Sequence, residues 1–303
     1  MTERAILLMA YGTPATLDDV GPYFTHIRRG RAPSPEAVAH LRHRYERVGG
    51  ATPLRAITEA VRDRLEESLR ADGDGRRVYV GMKHWHPFIA ETARAMAADG
   101  VREATAVVLA PHYSRMSVGG YRKYLDDALA EMERPFSVRF VERWHLQPAF
   151  VAMMADLVQR GLEQFPAGER DDVTVVFTAH SLPEKIREWG DPYERELRES
   201  AEAVAARAGL ARWRQAWQSA GSTGEPWIGP DILDFLETLH AEGVRRVLQV
   251  PIGFVSDHLE VLYDIDVEAK AKAAELGMRL ERTALPNATP ELIRVLRAVV
   301  DEA

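Results

Sequence analysis

Two stretches of the sequence hold the side chains best suited to chemistry. Residues 257–268, DHLEVLYDIDVE, place Glu260, Asp264 and Glu268 four positions apart. On a helix that spacing keeps all three on one face, drifting about 40° per step. Like charges so arranged repel by roughly 0.2–0.5 kcal/mol per pair. The row is therefore either a solvated face or a series of hard oxygen ligands for a divalent cation. Glu260 has an ordinary reason for its place. Gly253, Ser256 and Asp257 read as a turn into the helix, with Ser256 or Asp257 as N-cap, and an acid in the first turn gains from the free amides. Asp264 and Glu268 lie one and two turns deeper and lack that reason. An open series of carboxylates suits a labile Fe²⁺ or Mg²⁺ in transit better than a closed structural site. Lys272, one turn further on, is spaced to neutralise Glu268 as an i,i+4 pair.

The second stretch is VVFTAHSLPEK, in which His180 follows a strand-like run and Pro183 limits the backbone beyond it. A neutral imidazole there accepts a proton or binds a borderline metal near pH 7, the alternative being a hydrogen-bonded structural histidine. Ser181 lacks the Gly-x-Ser-x-Gly elbow of a hydrolase. His84-x-His86 is a weaker chelate, because Lys83 precedes it and Trp85 intervenes. Gly119-Gly120 stands alone, without the further glycines or the lysine that a dinucleotide or phosphate loop needs. Arg28, Arg29, Arg31, Arg44 and Arg47 offer guanidinium forks for carboxylates or phosphates, or else a solvated basic patch. With Tyr11, Tyr23, Phe24, Tyr45, Tyr113, Tyr121 and Trp227 they can furnish a broad aromatic cleft with clamps for anionic ends. A large flat polycarboxylate fits such a cleft; core packing is the competing explanation of the aromatics.

These residues need elements to position them. Short apolar runs at 5–10, 78–82, 106–110, 138–141, 173–178 and 247–250 alternate with helical patterns. The helical patterns cover 35–48, 54–70, 87–98, 118–131, 148–164, 192–208, 230–241, 258–276 and 290–300. Helices between most strands predict an α/β fold with a mainly parallel sheet covered on both faces. There is an internal echo: LMAYGTP at 8–14 resembles FTAHSLP at 177–183, and DGVR at 99–102 resembles EGVR at 242–245. Two similar halves, 1–150 and 151–303, account for both pairs. In open parallel sheets ligands bind beyond the carboxyl ends of the strands, where Tyr11, His84, His112, His180 and Phe254 are predicted to lie. The cleft between the halves is the place to look.

Composition narrows the classes. A chain of 303 residues with 46% hydrophobic content buries a large core, and a net charge of −7 with pI near 5.9 argues against a nucleic-acid surface. The absence of cysteine excludes disulfides, thiolate zinc sites, cysteine-ligated iron–sulfur clusters and thiol nucleophiles, and it fits a reducing compartment. MTERAILLMAYGTP reads as a first strand rather than a signal peptide, and no run approaches the length of a membrane span. The cytoplasm is the expectation.

Several stretches together resemble the ferrochelatase family, in its soluble coproporphyrin branch of Gram-positive type. They are MAYGTP (9–14), YFTHIRRGR (23–31), RYERVGG (44–50), APHYS (110–114), FTAHSLPEKI (177–186), GDPY (190–193), WQSAG (217–221), GPD (229–231) and PIGFVSDHLEVLYDID (251–266), nearly end to end. The resemblance implies two Rossmann-like, chelatase-like domains, each with a parallel four-stranded sheet flanked by helices, the last helix packing back on the first domain. It implies insertion of Fe²⁺ into coproporphyrin III with release of two protons, in haem biosynthesis. By resemblance His180 and Glu260 form the inner iron site and proton-accepting side, and Tyr11 approaches from the opposite face of the macrocycle. To accept a proton His180 needs to be neutral at rest, helped or hindered by how close Glu260 lies. Arg28, Arg44, Tyr45, Thr52 and Tyr121 match porphyrin-contact positions; Thr52 stands where the family carries Ser and keeps the hydroxyl. Asp264 and Glu268 match an acidic row that guides the metal inward. The resemblance also implies Fe²⁺ as substrate, no organic cofactor and no iron–sulfur cluster. It further implies a monomer and transient contact with the next haem-pathway enzyme. Protoporphyrin IX metallation, cobalt insertion, and a non-catalytic haem or metal carrier are the alternatives.

Overall fold

Arg4–Ala10 (β1) is buried at every position after the first, which is what a central strand covered on both faces requires. The computed structural model describes residues 3–221 and 224–303, so Met1 and Thr2 of the predicted first strand lie outside the described residues. After β1 come α1 (Val20–Ile27), α2 (Pro35–Arg47), α3 (Leu54–Ala71), β2 (Arg77–Met82), α4 (Ile89–Ala98), β3 (Glu103–Val108), α5 (Val118–Ala130) and β4 (Ser137–Val141). The chain continues through α6 (Pro148–Leu162), β5 (Thr174–His180), α7 (Tyr193–Ala208), β6 (Trp213–Gln218), α8 (Ile232–Ala241) and β7 (Arg246–Val250). A π-helix (Val261–Ala269) then runs into α9 (Lys270–Glu275), followed by β8 (Arg279–Arg282) and α10 (Pro290–Glu302).

The strands form two four-stranded parallel sheets, in the orders β2-β1-β3-β4 and β6-β5-β7-β8. The two orders are the same, and the echoed segments fall at equivalent places: after β1 and β5, and before β3 and β7. In each sheet the order reverses beside the first strand of its half, which opens a crevice at the carboxyl ends between β1 and β3 and between β5 and β7. Tyr11 follows β1 directly and His180 ends β5.

Three elements escaped the sequence pattern. Trp213–Gln218, WRQAWQ, mixes polar residues into an edge strand, and β8 has only four residues. In α1, Gly21-Pro22 reads as a breaker, yet a proline in the first turn needs no intrahelical amide partner.

The halves share one core. Ile6, Leu8, Val61, Leu65 and Leu69 of the first belong to the same buried cluster as Phe150, Met154, Val158, Phe177, Leu296 and Val299. Helix α10, capped by Thr289 with Pro290 in its first turn, returns to the first half. Its Arg297 donates to the Ser68 carbonyl (2.7 Å) and pairs with Asp72 (2.9 Å). Among the described residues no helix is long and apolar enough to cross a membrane.

Candidate active site

β7 ends at Val250 and the chain turns through Pro251–His258 into a helix that starts at Leu259. Neither expected cap operates. The Asp257 carboxylate accepts from Asn287 Nδ2 (2.7 Å) and Arg282 Nη2 (3.1 Å), and Ser256 Oγ is buried without a partner. His258 takes the role instead, its carbonyl accepting from Leu262 N (3.0 Å). The predicted uninterrupted α-helix over 258–276 is corrected too: from Val261 to Ala269 the bonds are i→i+5 and the turn is wider. The acids stay in a row of changing depth. Glu260 is partly buried, Asp264 is 6% exposed and Glu268 faces water. Lys272 does not neutralise Glu268; its ammonium pairs with Glu237.

At the inner end of the row the two strongest candidates meet. His180 Nε2 lies 3.3 Å from Glu260 Oε1, and His258 Nε2 lies 3.6 Å from Glu260 Oε2. His180 Nδ1 faces the Ser181 carbonyl, so a proton on Nδ1 leaves Nε2 directed at the carboxylate. The Tyr193 hydroxyl donates to the His180 carbonyl (3.0 Å), and the Trp227 ring lies 6.3 Å from the imidazole. Burial alone would lower His180, but the Glu260 carboxylate raises it to about 9, helped by the Ser181 carbonyl and the more distant Asp264. Burial alone would raise Glu260, but His180 and then His258 hold it well below the usual carboxylate range. The carboxylate beside it favours the protonated imidazole, which works against the neutral resting state that the sequence reading expected.

Asp264 joins the two halves. Its carboxylate accepts from Arg44 Nη2, contributed by α2, and from Ser219 Oγ, just beyond β6. The Arg44 guanidinium also lies over the Tyr263 ring, 4.8 Å from its centroid. Burial pushes Asp264 up to about 6 against the pull of Arg44 and Ser219, and the charges of Glu260 and Glu268 add to the rise. Among the described residues no three His, Asp or Glu side chains converge as a metal cage. The donors form a pair and a row.

The facing wall comes from the loops after β1 and β2. Lys83 N and His84 N donate to the Ala10 and Tyr11 carbonyls (both 2.9 Å). Gly12 makes this approach feasible: its φ is +94°, and a Cβ there would lie 2.9 Å from Trp85 N. Tyr11 is 40% exposed and packs on His84, with ring centroids 4.6 Å apart. Burial and then the Glu260 charge raise the Tyr11 phenol, as they do Tyr193, so the carboxylate acts on groups of both halves. His84 pairs with His26 through their Nδ1 atoms (3.1 Å), whereas His86 turns away to Glu91 (2.9 Å). The His84-x-His86 chelate is thus not formed.

The remaining candidates separate by depth. Thr52 bonds Thr13 (2.9 Å), which also meets the Tyr45 hydroxyl (3.3 Å). Tyr45 and Tyr121 are only 2% and 5% exposed and belong to hydrophobic core clusters, with Lys83 Nζ 4.8 Å from the Tyr121 ring centroid. Arg28 is exposed at the end of α1, its guanidinium 5.8 Å from the Phe24 ring. His258 and Ser219 carried no role in the sequence reading. His258 precedes the helix, so helical spacing is silent about it, and Ser219 follows a strand that the pattern did not predict.

The family model for Ferrochelatase matches residues 3–303. A Ferrochelatase of Herpetosiphon aurantiacus is 49% identical, covering 98% of this chain and 98% of that protein. The Coproporphyrin III ferrochelatase of Bacillus subtilis is 43% identical, covering 98% and 97% respectively, and that of Anoxybacillus flavithermus is 44% identical, covering 97% and 94%. Among solved structures, SirB from Bacillus subtilis with Fe3+ superposes with TM-score 0.62 at 10% identity, over 99% of this chain and 95% of that one, a likeness of fold alone.

Proposed function

This chain belongs to the ferrochelatase family, and from that premise we propose that it inserts Fe²⁺ into coproporphyrin III, forming coproheme and releasing two protons in haem synthesis. The observation that carries the reading is the imidazole and carboxylate of His180 and Glu260, brought to 3.3 Å from the end of β5 and the first turn of the helix that follows β7. Curated relatives named for coproporphyrin III over nearly the full length support the substrate.

The residues divide the work as follows. A porphyrin must lose two pyrrole protons while the ion sheds water, and cleft walls that hold the ring puckered lower that barrier. Fe²⁺ approaches along Glu268 and Asp264 to Glu260 and His180. Where His180 is protonated, arrival of the cation at His180 and Glu260 releases that proton to water. As the ion passes on to the porphyrin nitrogens, the imidazole nitrogen and the carboxylate oxygen that it vacates each accept one of the two pyrrole protons and pass it to solvent. Tyr11 faces the other side of the ring, Arg28 and Arg44 pair with propionates, and Thr52 offers a hydroxyl at the rim. Tyr45 and Tyr121 support the floor. Iron is a substrate here; the chain needs no organic cofactor and, having no cysteine, carries no cysteine-ligated cluster. We place it as a cytoplasmic monomer that passes its product to the next haem-pathway enzyme.

The test compares the four-propionate and two-propionate porphyrins, each with Fe²⁺ and with Co²⁺, under anaerobic steady-state conditions. Coproporphyrin III with Fe²⁺ is expected to exceed the other pairs in kcat/KM by about tenfold or more. Preference for protoporphyrin IX or for Co²⁺ would reassign the chain within its family, and a stop after one equivalent of product would make it a carrier. Glu268→Ala is expected to raise the Fe²⁺ concentration for half-maximal rate by about two- to fivefold with little change at saturating iron. An unaltered iron dependence would remove Glu268 from the route.

A further inference from the structure

Helix α7 touches both halves of the molecule, and its contacts run in order. Four consecutive residues of the loop after β3 pass along it in reverse. Ser114 Oγ and Arg115 N donate to Asp191 Oδ2 (3.1 and 2.7 Å), Tyr113 N donates to Glu196 Oε2 (2.7 Å), and His112 Nε2 meets Ser200 Oγ (2.7 Å). Ser200 Oγ donates onward to the Leu197 carbonyl (3.1 Å), so the imidazole is the donor in the last of these. Glu196 is the centre of the series. It is 1% exposed, its second oxygen lies 3.3 Å from Arg143 Nη1, and Arg143 covers the Tyr113 ring. His145 Nδ1 stands 3.6 Å from Glu196, and His145 Nε2 3.1 Å from Glu199. A carboxylate so deeply buried is costly to hold. The hydrogen bond made to its Oε2 comes from Tyr113 N of the other half, while Oε1 has Arg143 at ion-pair distance but no hydrogen bond among the described residues.

The same helix holds the catalytic side. In its first turn the Tyr193 hydroxyl donates to the His180 carbonyl (3.0 Å), and beyond the clasped loop the chain enters α5, which carries Tyr121. About 10 Å of helix, from Tyr193 to Ser200, therefore links the backbone of His180 to the loop that leads into α5. We propose that α7 is a brace that sets the width of the cleft, and that Glu196 is a positioning residue for metal insertion. This rests on the reading of the chain as a porphyrin metallating enzyme. A cleft that strains a flat ring needs walls that do not yield, and the strain falls away if the brace loosens.

The full-length protein and its Glu196→Ala, Glu196→Gln and Asp191→Ala variants test this with coproporphyrin III and Fe²⁺. In Glu196→Ala, kcat is expected to fall about tenfold or more, with KM for Fe²⁺ changed less than about twofold. The out-of-plane resonance Raman bands of the bound porphyrin are expected to weaken in parallel. Glu196→Gln keeps an acceptor for Tyr113 N–H and is expected to recover most of both. Should Glu196→Ala not fold, Asp191→Ala, which cuts the outer contacts of the same brace, is expected to show the same two changes in smaller measure. A folded variant with lowered melting temperature but wild-type kcat and Raman bands would reduce the cluster to a stabilising contact. Failure of the wild type to metallate coproporphyrin III would instead overturn the functional reading, with the Raman comparison still deciding the brace.

Discussion

His180→Ala is expected to lower turnover of coproporphyrin III by roughly 10³-fold while the porphyrin still binds with nearly its normal affinity. The ring nitrogens of His180 face Glu260 and the Ser181 carbonyl, the Trp227 ring lies 6.3 Å from the imidazole, and the backbone carbonyl is held by Tyr193. Removing the side chain deletes the nitrogen proposed to receive the metal and a pyrrole proton, while the backbone contact with Tyr193 can stay. It also strips Glu260 of its main counter-charge. Burial then dominates that carboxyl and drives it upward, so part of the loss is an acid that no longer ionises readily. Initial rates of iron insertion and a fluorescence titration of porphyrin binding separate the two effects. Insertion within tenfold of the wild-type rate would remove His180 from the reaction.

Glu260→Gln is expected to cost roughly 10²-fold in turnover and to leave a separate spectroscopic mark. His180 should titrate near 9 in the wild type and clearly lower in the variant, because burial is then opposed only by the lesser influences of the Ser181 carbonyl and Asp264. An NMR titration of the His180 ring checks this; a ring that still titrates near 9 in Glu260→Gln would show that another group supplies the charge. The consequence for stability has a definite sign. A raised His180 contributes stability in full below 6.5, and the contribution fades as pH rises through about 9. A depressed Glu260 contributes in full above 4.5 and fades as pH falls through its lowered value. The wild type should therefore exceed Glu260→Gln in melting temperature most clearly between about 4.5 and 6.5, the gap closing above about 9. The same linkage makes iron compete with a proton for the pair, so the apparent affinity for Fe²⁺ is expected to rise with pH across that upper range.

The two kinds of information in this chain part at the range over which each interaction acts. Alternation of apolar runs with helical patterns, the polar residue just past β1 and past β5, and the four-residue spacing of Glu260, Asp264 and Glu268 are set by neighbours within a turn or a strand. They are legible in the sequence because backbone periodicity is local. The short edge strand β8 and the polar β6 were not legible, since their stability comes from the neighbouring strands β7 and β5 rather than from their own residues. Widening of the acidic helix, capping by His258 and burial of Tyr45 and Tyr121 likewise depend on what packs around them.

The pairings that give the site its chemistry lie further still from sequence. Arg44 reaches Asp264 across 220 positions, Glu196 meets Tyr113 across 83, and Ser219 turns toward Asp264 across 45. The charge state that His180 favours follows from a carboxylate 3.3 Å away, in the helix that follows β7. From sequence alone came the fold class and the candidate residues His180, Glu260, Asp264 and Glu268, though not His258 or Ser219. Only the tertiary structure decided which donors face each other, how deep each lies and which holds a proton. Coulomb forces and burial depend on distance in space, and that distance exists only once both sheets and the helices between them have packed.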